Sequence, residues 1–169
     1  MSQNESEKDV TSIGLRAASE RYLSFSLGAE EYAVRLLKVK EVIARPEITP
    51  VPQTPPYFLG IMNLRGQVIS VLDLRLKLGI KAQQNSETAV IIFDLETVTI
   101  GVVVDSVNSV LAPSPEHISE KSDLQISSSH EYVEGVYRND KRLVLFLNIA
   151  QALGFADLER SKQISQKSA

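Results

Sequence analysis

Apolar residues in this chain come in short runs, and most runs end at Gly, Pro, Asn or Asp. Tyr22-Leu23-Ser24-Phe25-Ser26-Leu27 alternates loosely. A strand sends successive side chains to opposite faces, so this pattern predicts a half-buried strand. Gly28-Ala29-Glu30 offers a turn, 31–35 returns as a second strand, 36–40 makes one helical turn, and 41–44 resumes extended. Pro46, Pro50, Pro52, Pro55 and Pro56 make the next stretch a stiff, irregular loop. The run from Gly60 then stops at Asn63-Leu64-Arg65-Gly66, resumes as alternating Val68, Ser70 and Leu72, and ends at Asp73 before Leu74. This order predicts strand, tight turn, strand and short helix, with Asp73 as N-cap and Gly79 as the stop.

The second half repeats the plan. Ala89–Phe93 reads as a buried strand, Asp94–Thr97 as a turn, and 98–104 and 107–111 as further strands. Residues 112–129 are rich in Ser and Pro and read as a loop; 132–137 and 143–147 form a hairpin around Asn139-Asp140, and 148–153 matches the first short helix. Gly60 to Asp73 is thirteen positions, as is Gly135 to Asn148, and Gly60 to Gly79 is nineteen, as is Gly135 to Gly154. Phe25, Val34, Val39 and Val42 align at one constant offset with Phe93, Val102, Val107 and Val110. Two ungapped blocks in the same order predict a mainly β, internally duplicated chain. Closure into two small antiparallel barrels of about five strands each removes exposed edges. The first barrel falls at about 21–80 and the second at about 88–155, with strands or helices free to exchange at the ends. Residues 1–20 read as a flexible leader and 156–169 as a polar tail.

Composition narrows the function. A net charge of -3 without a basic stripe argues against nucleic acid as a partner. With no Cys there is no disulfide, thiol catalysis or thiolate-bound metal. Charged residues interrupt every apolar run well short of the roughly 18 residues of a membrane helix.

Candidate chemistry is sparse. His117 and His130 sit in polar loops without a second ligand at metal-binding spacing. There is no phosphate loop and no nucleophile elbow. Val90-Ile91-Ile92-Phe93-Asp94-Leu95-Glu96-Thr97 resembles the first motif of proofreading-type exonucleases, in which paired acids hold two divalent cations. A small metal-dependent 3′–5′ exonuclease using Asp94 and Glu96 is therefore the alternative from the enzyme class. Against it, the downstream acids and His lack the required spacing, and exposed turn acids explain the same residues. Asp105 reads as a turn cap between strands, and Gly66 supplies a turn conformation that a Cβ resists. Arg65, at a hairpin tip, presents planar donors suited to a carboxylate or backbone carbonyls, and Glu41 lies beside Val39 and Val42.

Four blocks together resemble the CheW family, the adaptor that joins bacterial chemoreceptors to the histidine kinase CheA. They are Glu31-Tyr32-Ala33-Val34 with Leu37-Lys38-Val39-Lys40-Glu41-Val42-Ile43, Phe58-Leu59-Gly60-Ile61-Met62-Asn63-Leu64-Arg65-Gly66, Val71-Leu72-Asp73-Leu74-Arg75, and Ile100-Gly101-Val102-Val103-Val104-Asp105-Ser106-Val107. The resemblance covers 21–155 and implies two SH3-like barrels, no catalysis, and no cofactor or metal. It implies a cytoplasmic scaffold recruited to receptor arrays at the inner membrane, without inserting in it. The implied partners are the hairpin tip of methyl-accepting chemotaxis receptors, the regulatory domain of CheA, and other CheW-like domains in array rings. By position, Val39, Glu41 and Arg65 match the receptor-facing motif, and Val90, Gly101 and Val110 a groove between the barrels. Ile48, Val51 and Gly60 match a kinase-facing loop.

The enzyme alternative has a direct test. If Asp94 and Glu96 are only turn acids, Asp94→Asn combined with Glu96→Gln leaves stability within about ±0.5 kcal/mol of the parent. Metal-dependent DNA degradation by the purified protein, abolished in the double variant, is the opposite outcome.

Overall fold

A strand with one apolar face needs a second layer to bury it, and this chain meets the need with two sheets packed on a common core. The computed structural model describes residues 20–82, 87–120 and 131–167. The first elements are β1 (Tyr22–Leu27), β2 (Glu30–Arg35), a 3-10 turn at Leu36–Lys38, and β3 (Val39–Ala44). After the proline-rich loop come β4 (Phe58–Leu64), β5 (Gln67–Asp73) and α1 (Leu74–Leu78). The second half supplies β6 (Ala89–Asp94), β7 (Thr99–Val104), β8 (Ser106–Leu111), β9 (Ile118–Glu120), β10 (Val133–Asn139) and β11 (Arg142–Leu147). It ends in α2 (Ile149–Leu153) and α3 (Phe155–Lys167).

The helix starts follow the sequence. The Asp73 side chain accepts from the N–H groups of Arg75 and Leu76, and Asn148 caps α2 through the Gln151 N–H. The β4–β5 turn has φ of 51° at Arg65 and 88° at Gly66, the two left-handed positions of a type I′ hairpin.

One sheet runs β8-β1-β2-β11-β10-β9 and the other β3-β6-β7-β5-β4. Each sheet takes strands from both halves of the chain. β1 and β2 leave the first half to join β8, β10 and β11, while β6 and β7 join β3, β4 and β5. The repeat is thus an exchange of leading hairpins. Neighbouring strands are antiparallel except at the two seams, where β2 pairs with β11 and β5 with β7 in parallel.

Three apolar clusters result. The largest lies between the sheets and contains Phe25, Leu27 and Val34 from one and Leu72, Ile91, Phe93, Ile100 and Val102 from the other. The six-stranded sheet curls over Tyr22, Ala33, Val144 and Phe146. The five-stranded sheet curls over Met62, Ile69, Val71, Val90, Ile92 and Val103.

Two stretches differ from the sequence reading. Ile118–Glu120, within the expected loop, pairs with β10 as an edge strand. Residues 156–169, expected as a polar tail, instead belong to α3 through Lys167. Its buried positions include Asp157 and Ser161, which a hydrophobic pattern cannot flag. Tyr57 donates to Asp157 Oδ1 at 2.7 Å, Lys77 Nζ lies 2.8 Å from Oδ2, and Ser165 donates to the Val68 carbonyl. Burial alone would pull the Lys77 ammonium down, but Asp157 and Tyr57 outweigh it and hold its pKa above the ordinary value.

At the β2–β11 seam, Arg142 donates to Glu31 from both Nε and Nη2. The Arg142 hydrogen bond, working against a smaller burial effect, lowers the Glu31 pKa below 4.5. A depressed carboxylate pKa gives stability that is present above the unfolded value and lost as pH falls through the folded one. Thermal melts are therefore expected to drop below pH 4.5, and Glu31→Gln to flatten that drop.

Gly60 has φ 145°, and an added Cβ would run into the Thr49 carbonyl, where Thr49 bridges Ile61. Gly135 repeats the arrangement, its added Cβ lying 2.9 Å from the Ser119 carbonyl. Gly60→Ala is expected to cost about 2 kcal/mol or more in a denaturant titration; an unchanged midpoint would show that the loop simply moves aside.

Candidate partner-binding surface

Exposed apolar side chains occur on two sheet edges, at Val42 and Val110, and also at Leu37, Leu76, Leu143 and Phe155. Arg65, at the tip of the β4–β5 hairpin, donates to Glu41 of β3 at 2.7 and 3.2 Å. Strands β3 and β4 are the two ends of the five-stranded order, so the pair spans opposite edges of a curled sheet. Asn63 Oδ1 accepts the Gly66 N–H at 2.8 Å and holds the turn beneath it. The Arg65 side chain is 75% exposed and that of Glu41 21%. Exposed ion pairs contribute only about 0.2–1 kcal/mol to folding, so this one orients charge at the surface rather than holding the fold.

Apolar groups lie on the same strand as Glu41 and on neighbouring elements. Val39 is half-buried against the central core, while Val42, on the same strand, is 41% exposed. Leu37, in the 3-10 turn leading into β3, is 88% exposed. Val110, on edge strand β8 of the other sheet, is 54% exposed. Leu37 and Val42 fall within the first matched block but were not assigned to a site from the sequence. The available signal was the crowding of Leu36, Leu37 and Val39, since a single turn packs only part of such a run inward.

The remaining positions separate. Val90 is fully buried in the cluster under the five-stranded sheet, and a Cβ on Gly101 would meet Val90 Cγ1 at 3.0 Å. Both therefore act on the surface only through packing. Ile48 packs on that same cluster and Val51 on the central one, from the proline-rich loop. Gly60 lies under the loop, where it lets Thr49 approach β4.

The acids of the enzyme alternative do not converge. Asp94 and Glu96 are exposed at the β6–β7 turn, where Asp94 Oδ1 accepts the Glu96 N–H at 3.1 Å, and Glu96 lies 3.8 Å from Lys38. Among the described residues no three His, Cys, Asp or Glu are placed to hold a metal. His117 makes an edge contact with the Tyr137 ring at 6.0 Å; His130 lies outside the described residues.

Asp73 and Asp105 do more than cap turns. Arg75 is buried between them, donating to Asp73 at 3.0 and 2.8 Å and to Asp105 Oδ1 at 2.7 Å. Asp105 Oδ2 accepts the Gly28 N–H at 2.6 Å. The bonds to Asp73, working against burial, raise the Arg75 pKa further, so the group stays cationic.

Comparison with known proteins points the same way. The CheW-like domain family model matches residues 21–156. The chemotaxis protein CheW of Bacillus subtilis is 30% identical, over 85% of this chain and 90% of its own. That of Helicobacter pylori is 31% identical, over 79% and 81%, and that of Klebsiella aerogenes 29%, over 88% and 90%. The crystal structure of the scaffolding protein TtCheW from Thermoanaerobacter tengcongensis superposes with a TM-score of 0.73 at 27% identity, covering 82% of this chain and 94% of that one.

Proposed function

We propose, starting from the fact that the chain belongs to the CheW-like domain family, that it couples chemoreceptors to the histidine kinase CheA. It is a non-catalytic chemotaxis scaffold, and the exonuclease reading finds no support in its relatives or in the placement of its acids. None of the helices among its described residues is long and apolar enough to cross a membrane. The working site in this reading is the cytoplasm, at receptor arrays under the inner membrane. The partners are the hairpin tip of a methyl-accepting receptor, the regulatory domain of CheA, and other CheW-like domains in the array ring.

The Glu41–Arg65 pair on the rim of β3 is the observation that carries the receptor assignment. A helical hairpin tip offers chain-reversal carbonyls and polar side chains. Arg65 has five N–H donors and gives two to Glu41, so three remain for a partner. Glu41 already fixes the guanidinium plane, which lowers the ordering cost of binding. Val39 and Val42 supply apolar contact on the same strand, and Val110 extends the surface onto the second sheet. Val90 and Gly101 support it from beneath. Ile48, Val51 and Gly60 belong to a separate kinase-facing region in and under the proline-rich loop.

Isothermal titration of a soluble receptor fragment and of the CheA regulatory domain tests this. Arg65→Glu is expected to weaken receptor binding by about 2 kcal/mol or more, since it places like charges together and removes the donors. Glu41→Lys acts in the same direction but less strongly. Kinase binding survives in both, and melting temperatures move by no more than a few degrees. Receptor affinity equal to the parent's would show that the site lies elsewhere; unfolding would make Arg65 structural.

A further inference from the structure

The repeat gives the molecule two equivalent junctions between its sheets, and they are built differently. In one, the β1–β2 turn at Gly28 meets the β7–β8 corner at Asp105 and the N-terminal end of α1, with Asp73 and Arg75. The offset that aligns Phe25 with Phe93 places Glu96 opposite Gly28, and Leu37 opposite Asp105. The offset that aligns Gly60 with Gly135 places Asn148 opposite Asp73, and Ala150 opposite Arg75. Backbones agree at these positions. Gly28 and Glu96 have φ of 61° and 70°, and Asp73 and Asn148 each cap a short helix.

The side chains do not agree. The first junction is closed by the guanidinium between two carboxylates, all buried. The second holds a cavity of about 360 Å³ lined by Lys38, Leu95, Glu96, Asn148 and Ala150, beside the exposed Leu37. Apolar packing across the central core is non-directional and leaves the angle between the sheets loosely specified. Two hydrogen-bonded ion pairs are directional. Buried ion pairs are weak evidence for stability, and their best-attested use is to select one arrangement among several.

We infer that Arg75 is a positioning residue: through Asp73 and Asp105 it fixes the angle between the two sheets at one junction, and so sets the receptor-facing surface that both sheets share. This rests on the receptor assignment above, in which Val39, Glu41 and Arg65 lie on one sheet and Val110 on the other. Of the kinase-facing residues, Ile48 and Gly60 lie against the five-stranded sheet alone, and Val51 in its loop packs on the central core, so the angle affects this region less than the surface both sheets share.

The test is Arg75→Gln combined with Asp105→Asn. It removes both ion pairs, keeps amide hydrogen bonding, and leaves the buried group with the same single net negative charge. The chain has no Cys, so Gln67→Cys on one sheet and Arg138→Cys on the other take spin labels cleanly. Pulsed dipolar spectroscopy is expected to show a broader inter-sheet distance distribution in the variant than in the parent. Receptor affinity falls about tenfold, ~1.4 kcal/mol, while kinase affinity changes by less than about twofold. Val144→Ala, a core truncation in the separate cluster under the six-stranded sheet, serves as the stability control and shows neither the broadening nor the selective loss. If the double variant does not fold, Asp105→Asn alone takes its place. An unchanged distance distribution, or equal loss of both partners, overturns the inference. A parent that binds no receptor fragment overturns the functional reading instead, and the distances still decide the role of Arg75.

Discussion

The parallel seams are the constraint on which the rest depends. β2 lies against β11 and β5 against β7, so each sheet is completed by strands from the other half of the chain. Neither half can cover its apolar faces alone. Phe25, Leu27 and Val34 share one core with Ile91, Phe93, Ile100 and Val102 of the other half. The two capped helices close the ends of that core through Leu74, Ile149 and Leu153. Charged side chains then supply the direction that apolar contact lacks. The triad on Arg75 pins one junction, Asp157 pins α3 to residues of the first half, and Arg142 with Glu31 spans one seam.

The interior is committed to joining the sheets, and two sheet edges keep exposed apolar side chains. β3 and β8 each have one free side in their sheets, and they carry the exposed valines. The Glu41–Arg65 pair sits where the curl of a sheet brings an edge strand to a hairpin tip. This division suits a scaffold. Arg65, Val42 and Val110 are exposed and lie outside the three buried clusters, so changes there leave the core intact.

Much of this was legible in the sequence because it is local. The Asn63–Gly66 turn, the caps at Asp73 and Asn148, and the repeated glycine spacing each depend on a few neighbouring residues. What was not legible is set by distant partners. Asp105 reads as a turn acid until Arg75, thirty positions earlier, is placed against it. α3 reads as a tail because its buried stripe includes Asp157 and Ser161 instead of a continuous apolar row. Val90 belongs to an apolar run whichever way it faces, and only the sheet order shows that it turns away from the central core. The receptor-matching residues were recognisable by their motif. The pairing of Arg65 with Glu41 was not, since it depends on a curl that no local pattern encodes.

The exchange of hairpins also sets an order of events during synthesis. β1 and β2 leave the ribosome first, yet the neighbours that flank them in the finished sheet, β8 and β11, are made late. Tyr32 waits for Leu145 and Leu23 for Val110. Over that interval the first hairpin has two open edges and an uncovered apolar face, the condition in which nascent chains aggregate or pair wrongly. Non-local pairing of this kind also slows folding, because loop closure must precede the contacts that reward it. The Ser24, Ser26, Glu30, Glu31 and Arg35 positions of β1 and β2 keep that waiting hairpin polar along part of its surface. Their composition thus serves the unfinished chain as well as the folded one.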